Sequence, residues 1–282
     1  MLRSGPGLRV GRWRSAQPPT EVDPNYEEAL HRLIQDEAMR LIAAASRLSL
    51  RLRVTGSVAI RMHSSEHAPL LDAMGRRRLR DIDFWGYAKE QKQLERLFLA
   101  DEYVADPDMK RAHEWGVKRL IFEHPRTRIK IDVYMDELMM AHTIGFQGRL
   151  DLDYPTSDLT YLMLSKLQIH EITEGDLIDI IVLFSEHDFG SADRERIDSA
   201  NVVEIMRRDW GFCHTTLENL TKCEAALERY PILPTHVAQR VRIRIEALRD
   251  QIVSAPKTVR WKMRSRVGTR ARWYEEIVDV DR

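Results

Sequence analysis

Two aspartates that flank one apolar residue, Asp81-Ile82-Asp83, lie in a run that continues into Phe84 and Trp85. In a strand, alternation places Asp81 and Asp83 on one side and Ile82 on the other. Two carboxylates on one side repel each other unless a cation lies between them, and a hard ion such as Mg²⁺ suits that place. The alternative is a solvated strand end with two surface acids, since a short motif of this kind often occurs by chance.

Composition and charge exclude several classes of protein. The 282 residues contain 43% hydrophobic residues, which is ordinary for a globular chain, and 44 basic and 44 acidic residues, so the net charge indicates no partner. Two cysteines make no disulfide framework and indicate a reducing, cytoplasmic setting. No apolar run approaches the roughly 18 residues of a membrane helix. The N-terminal arginines precede no apolar segment, so we expect no secretory signal.

A turn that could bind phosphate precedes the aspartate pair. A short strand around Leu52 and Val54 runs into Gly56-Ser57 and then into a helix-compatible segment, 58–62. Glycine lets an oxyanion approach the backbone, and a helix start offers free N–H groups and a positive dipole end. Ser57 adds a hydroxyl donor or caps the helix. An ordinary turn with no ligand is the alternative.

A basic segment lies between this turn and the aspartates. Residues 64–78 lack a regular pattern, and four arginines follow closely on one another: Arg76, Arg77, Arg78 and Arg80. These arginines either pair with surface acids or line a site for phosphates.

A third acid occurs on a basic strand farther along the chain. Segments 117–123 and 128–134 predict two strands joined by a turn, as in a hairpin. In the second strand, Asp132 shares its polar side with Arg128, Lys130 and Tyr134. This is the pattern expected of a third metal-binding carboxylate.

These residues, in this order, resemble the nucleotidyltransferase superfamily, which has the polymerase-beta-like fold. The matching residues are Gly56-Ser57, the pair Asp81 and Asp83, and Asp132. Two features depart from the family pattern. The turn has one glycine where many relatives have two, and the long gap after Ser57 predicts that residues 64–78 are an insertion over the site.

A second match narrows the resemblance to the AbiEii-type nucleotidyltransferases, bacterial proteins of which some are toxins paired with an antitoxin. Lys166 and the pair Asp176 and Asp179 match the helix lysine and the Asp-x-x-Asp helix of that group, and the match spans about residues 50–190. From the residues alone, Lys166 is equally compatible with a surface position. The two aspartates either orient Lys166 or serve as helix caps and surface charges.

The resemblance implies a metal-dependent enzyme that transfers NMP from an NTP to a hydroxyl of an RNA, a protein or a small molecule by a two-metal mechanism. It implies Mg²⁺ or Mn²⁺ as cofactor, held by Asp81, Asp83 and Asp132. The residues implied for catalysis are Asp81, Asp83, Asp132 and Lys166. Those implied for nucleotide binding are Gly56, Ser57, Arg80, Lys166, Asp176 and Asp179. The alternatives are a non-catalytic nucleotide- or RNA-binding module, and a toxin with an antitoxin protein as partner.

We expect an α+β fold, with a nucleotidyltransferase-like mixed sheet flanked by helices and a helical C-terminal part. The predicted divisions are an arm at 1–24, the nucleotidyltransferase-like domain at 25–190, a helical region at 191–256 and a basic, aromatic tail at 257–282. Cys213 and Cys223 are expected in the core. His142, His170 and His187 lack metal-ligand spacing and are expected to be structural.

The tail carries seven basic residues and no acid between Lys257 and Arg272, with Trp261 and Trp273 near its ends. Basic and aromatic residues together suit an RNA such as tRNA. The alternative is that the tryptophans pack on the core while the arginines face acids of the protein.

Overall fold

The computed structural model describes residues 24–76, 79, 81–107, 109, 118–190 and 194–276. The arm predicted at 1–24 lies outside these residues except for Pro24, which begins the first helix. Arg77, Arg78 and Arg80 also lie outside them. None of the helices within the described ranges has the length and apolar character needed to cross a membrane.

The described chain contains helices and short strands. The α-helices are α1 Pro24–Arg47, α2 Gly56–His63, α3 Ala68–Ala73, α4 Gln91–Ala100, α5 Leu159–Leu167, α6 Glu174–Glu186, α7 Ser199–Met206, α8 Trp210–Ala226, α9 Thr235–Ser254 and α10 Val259–Val267. The strands are β1 Leu52–Thr55, β2 Asp81–Gly86, β3 Val104–Ala105, β4 Arg119–Glu123, β5 Lys130–Met135, β6 Glu137–Met139, β7 Thr143–Gly145, β8 Asp188–Phe189 and β9 Arg196–Ile197.

A mixed sheet forms the centre of the described structure. Its five strands are ordered β1-β2-β5-β4-β3. Strand β2 is antiparallel to β1 and parallel to β5, while β4 is antiparallel to both β5 and β3. The antiparallel pairing of β4 with β5 confirms the predicted hairpin. The α+β class and the mixed sheet are likewise confirmed.

The alternation of the central strands separates the core from the polar residues. Ile131 and Val133 on β5, and Ile82 and Phe84 on β2, are completely buried. They join a hydrophobic cluster that extends from α1 to the C-terminal helices. Burial of this apolar area drives the sheet and the helices together. The intervening residues of β2 and β5 therefore carry their side chains to the other side of the sheet.

The C-terminal part is helical, as predicted. Cys213 and Cys223 of α8 are buried, which confirms their predicted place in the core. His142 is also buried, and its Nε2 lies 2.9 Å from the hydroxyl of Thr215.

The tryptophans of the tail pack on the protein, which agrees with the first part of the second alternative, but Arg264 contacts backbone carbonyls and no acid of the described residues. The indole of Trp273 donates to Thr215 and its ring contacts those of Trp210 and His214. Arg264 lies over the Trp210 ring and donates to backbone carbonyls. By contrast, Arg260, Lys262, Arg266 and Arg270 are exposed. Whether these exposed residues contact RNA stays a prediction.

The sequence pattern did not reveal several short elements. Within 64–78, where it showed no regular structure, α3 forms and packs against α6. The strand pairs β6–β7 and β8–β9 contain only two or three residues per strand, which is too short for alternation to be recognised.

Candidate active site

Asp83 and Asp132 are direct neighbours in the sheet. The parallel pairing of β2 with β5 places Asp83 opposite Asp132 and Asp81 opposite Lys130. Residues opposite one another on neighbouring strands carry their side chains to the same side of the sheet. The structure therefore brings the third predicted carboxylate beside the Asp-x-Asp motif.

The glycine of the predicted turn lies against the same carboxylate. Thr55, at the end of β1, is the register partner of Asp83, and Gly56 follows it with a φ of +64°. A Cβ at Gly56 would lie 2.4 Å from Oδ2 of Asp83. A side chain is disfavoured at this position, because the backbone lies in the left-handed region and a Cβ would displace the carboxylate of Asp83. The start of α2 and the carboxylate of Asp83 are consequently in direct contact.

Ser57 lies in the first turn of α2 and contacts an arginine. Thr55, not Ser57, is the residue at the N-cap. The hydroxyl of Ser57 accepts a hydrogen bond from the guanidinium of Arg76, which is one of the arginines of the basic segment. A hydroxyl, a guanidinium and a helix start thus meet at one point, which is a combination suited to binding phosphate oxygens.

Arg76 joins this point to a buried group of charges. Its Nε lies 3.0 Å from Oδ1 of Asp179, and Nζ of Lys166 lies 3.0 Å from Oδ2 of the same carboxylate. Lys166 also contacts Oδ1 of Asp176 at 2.8 Å. The side chain of Asp179 is only 1% exposed, so two cations converge on a carboxylate that is removed from water.

The pKa directions in this group follow from burial and pairing. Burial lowers the pKa of Lys166, but Asp179 and Asp176 more than offset it and the net shift is upward. Burial likewise lowers the pKa of Arg76, and Asp179, Asp176 and Asp83 reverse the sign. Both side chains therefore stay cationic at neutral pH. The influence of Asp83 on Arg76 also shows that the charged group lies within electrostatic range of the sheet carboxylates.

A capping box holds Asp176 in place. Thr173 accepts a hydrogen bond from the backbone of Asp176, and the carboxylate of Asp176 accepts from the backbone of Thr173. Asp176 is thus a helix cap and a partner of Lys166 at once. The sequence left two interpretations open for this residue, contact with Lys166 and helix capping, and Asp176 does both. Lys166 itself is nearly buried rather than at the surface.

Asp132 is paired with an arginine that the sequence analysis did not single out. Nε and Nη2 of Arg119 donate to the two carboxylate oxygens of Asp132 at 3.1 and 2.7 Å. Burial lowers the pKa of Arg119, but Tyr134, Asp132 and Asp83 more than offset it. Alternation places Arg119 on the same side of β4 as Ile121, but only the observed register, in which Ile121 lies opposite Asp132, brings Arg119 near that carboxylate.

The donors suit a divalent ion only in part. Carboxylate oxygens such as those of Asp81 and Asp83 are ligands that Mg²⁺ prefers. Both oxygens of Asp132, however, accept hydrogen bonds from Arg119. In the part of the chain that is described, no group of three or more His, Cys, Asp or Glu side chains is placed to hold a metal ion. The predicted three-carboxylate magnesium centre stays a prediction.

The described members of the predicted site converge from distant parts of the chain. Gly56 contacts Asp83, which is the register partner of Asp132. Arg76 donates hydrogen bonds both to Ser57 and to Asp179. Arg80, also predicted to bind nucleotide, lies outside the described residues. No protein-family model matches this chain, and no curated protein is significantly similar to it.

Proposed function

We propose that this protein is a metal-dependent nucleotidyltransferase with a polymerase-beta-like core, which transfers NMP from an NTP to a hydroxyl acceptor. The observation that carries the proposal is the meeting of Gly56, Asp83 and Asp132 at the start of α2. A helix start that binds phosphate beside carboxylates that bind a cation is what a nucleoside triphosphate requires.

The phosphates have a defined place in this proposal. The backbone N–H groups at the start of α2 and the hydroxyl of Ser57 face the β- and γ-phosphates. Arg76 contacts that hydroxyl and offsets the charge of the leaving pyrophosphate. Asp179 and Lys166 keep Arg76 at this position, since Arg76 is paired with the same carboxylate that Lys166 contacts.

The reaction forms one bond and breaks another. The acceptor oxygen bonds to the α-phosphorus, the bond from that phosphorus to the bridging oxygen breaks, pyrophosphate leaves, and the proton of the attacking hydroxyl passes to solvent water. Asp81 and Asp83 would hold the divalent ion. When bound, that ion supplies positive charge that offsets the charge of the triphosphate.

Transfer of labelled nucleotide tests the proposal directly. We expect the protein with Mg²⁺ to incorporate label from at least one α-labelled NTP into tRNA, into protein or into a small hydroxyl compound. Asp83→Asn should reduce the rate by at least about a hundredfold, because it removes a charged group that positions the ion and the phosphates.

Asp250→Asn is the matched control. Asp250 lies exposed on α9, so the same chemical change there should leave the rate unaltered. Equal rates for Asp83→Asn and the wild type would contradict the proposal, as would the absence of incorporation with every NTP and every acceptor class.

One observation favours a second candidate, a module that binds nucleotides without transferring them. Because Arg119 engages both oxygens of Asp132, the phosphate-binding part of the site is better developed than the third carboxylate. This candidate predicts that ATP binds equally well to the wild type and to Asp132→Asn, and that no label is transferred. Titration of ATP with and without Mg²⁺, beside the transfer assay, distinguishes the two.

A further inference from the structure

We propose that Arg119 takes the place of a second divalent ion, so that the site binds a single ion at Asp81 and Asp83 and holds Asp132 through a guanidinium. This inference rests on the proposed function, since it concerns the ions that the transfer reaction would use. It replaces the two-ion arrangement that the family resemblance implies.

The contacts of Asp132 carry the inference. In a two-ion centre, the third carboxylate would have to give an oxygen to an ion. Here both oxygens of Asp132 accept hydrogen bonds from Arg119, at 3.1 and 2.7 Å. A guanidinium pairs with a carboxylate through two parallel N–H groups and is always charged, so it provides a permanent positive charge in place of a metal ion.

Arg119 is also held firmly in place. Its backbone belongs to β4, where it is the register partner of Tyr134 on β5. Its guanidinium lies 5.1 Å from the centre of the Tyr134 ring, and its side chain is 20% exposed. The side chain of Asp132 is 7% exposed. A pair this well buried is costly to break, because two charges that are largely removed from water would lose their mutual hydrogen bonds.

Counting bound Mn²⁺ by electron paramagnetic resonance tests the inference without measuring activity. We expect the wild type to bind one ion per chain. Asp132→Asn should still bind one ion at saturating Mn²⁺, because Asp132 is not a ligand in this arrangement, while the Kd rises because the charge of Arg119 has lost its carboxylate partner. Asp83→Asn should weaken the binding of Mn²⁺ by at least about tenfold, because it removes a charged ligand.

Removing the guanidinium should create the second site. In Arg119→Met, no guanidinium from this position engages the two oxygens of Asp132, which is the register partner of Asp83, so we expect a second Mn²⁺ ion per chain. Arg126→Met is the matched control: Arg126 is 80% exposed and pairs with Glu102, and its loss should leave the count at one. Should Arg119→Met fail to fold, the counts for the wild type and Asp132→Asn decide alone.

Three results would overturn the inference: two ions in the wild type, loss of an ion in Asp132→Asn, or a single ion in a folded Arg119→Met. The failure of the proposed function has a different signature. A wild type that binds one ion at Asp83 but transfers no nucleotide would leave the inference standing and would remove the enzyme assignment.

Discussion

The protein solves the problem of buried polar groups in two different ways. Around α5 and α6 the buried groups are ions: Lys166 and Arg76 converge on Asp179. Around α8 they are neutral, as in the contact of His142 with Thr215. Removing ions from water can cost more than their attraction returns, whereas neutral hydrogen bonds are satisfied at little cost. A buried charged group is therefore weak evidence of net stabilisation, but removing one of its members is strongly destabilising.

The largest expected effect comes from breaking the charged group. Asp179→Ala leaves Lys166 and Arg76 without the carboxylate that they share, and should lower the free energy of unfolding by about 3 to 5 kcal/mol. Urea unfolding monitored by circular dichroism measures it. Glu174→Ala is the control on the same helix: its pair with Arg229 is about half exposed and should contribute less than about 1 kcal/mol. Equal losses of unfolding free energy in the two variants would mean that the buried charged group contributes no more to stability than an exposed ion pair.

The neutral group should respond to acid instead. Burial lowers the pKa of His142 to about 4 from 6.5. The folded state therefore binds fewer protons than the unfolded state, so this contribution is fully present above pH 6.5 and is lost as the pH falls toward 4. Between pH 7.5 and 4.5, the wild type should lose about 2 to 3 kcal/mol more stability than His142→Gln. Parallel loss in both proteins would show that His142 is not a buried neutral side chain.

A smaller effect separates contact from backbone strain at the site. Gly56 and Gly148 have φ values of +64° and +74°. A Cβ added at Gly56 would collide with the side chain of Asp83, whereas a Cβ added at Gly148 would meet no atom of the described chain within 4 Å. Both alanine variants share the strain, so Gly56→Ala should be less stable than Gly148→Ala by about 1 to 2 kcal/mol, the cost of the contact with Asp83. Thermal unfolding of the two proteins measures it. A Gly148→Ala variant as unstable as Gly56→Ala would remove the argument that the turn is shaped around the carboxylate.

The smallest effect is expected on the exposed basic side of α10. Arg266→Glu should change the free energy of unfolding by less than about 0.5 kcal/mol, since the residue is exposed. The same variant should weaken tRNA binding, with a reduced salt dependence, if the predicted RNA contact through residues 257–282 is right. Filter binding at two salt concentrations checks this. Unchanged tRNA binding would contradict the predicted RNA contact, and packing on the protein would remain as the role of the tail.

The sheet part of the site could be predicted because it depends on short-range alternation. Period two fixes the side of Asp81, Asp83 and Asp132, and their order along the chain follows the family pattern. The pairing of β2 with β5, which makes Asp83 and Asp132 neighbours, is a tertiary fact that alternation alone does not determine. The same limit applies to the ion-pair partner of Asp132. Arg119 could be recognised only once the register of β4 was known.

The charged group was harder to predict, because its members are far apart in sequence. Arg76 and Asp179 are separated by 103 positions, and Arg76 lies in a segment without a periodic pattern. Lys166 and Asp176 lie close enough on two successive helices for their contact to be anticipated. Nothing local indicated which arginine of the basic segment would reach Ser57.

The capping box at Thr173 links the folding of a helix to the shape of the site. The hydrogen bonds that begin α6 also fix the carboxylate that contacts Lys166. A substitution at Thr173 or Asp176 would consequently alter the start of α6 and the surroundings of Lys166 together. For anyone who wishes to redesign the surroundings of Lys166, α6 is therefore a poor starting point.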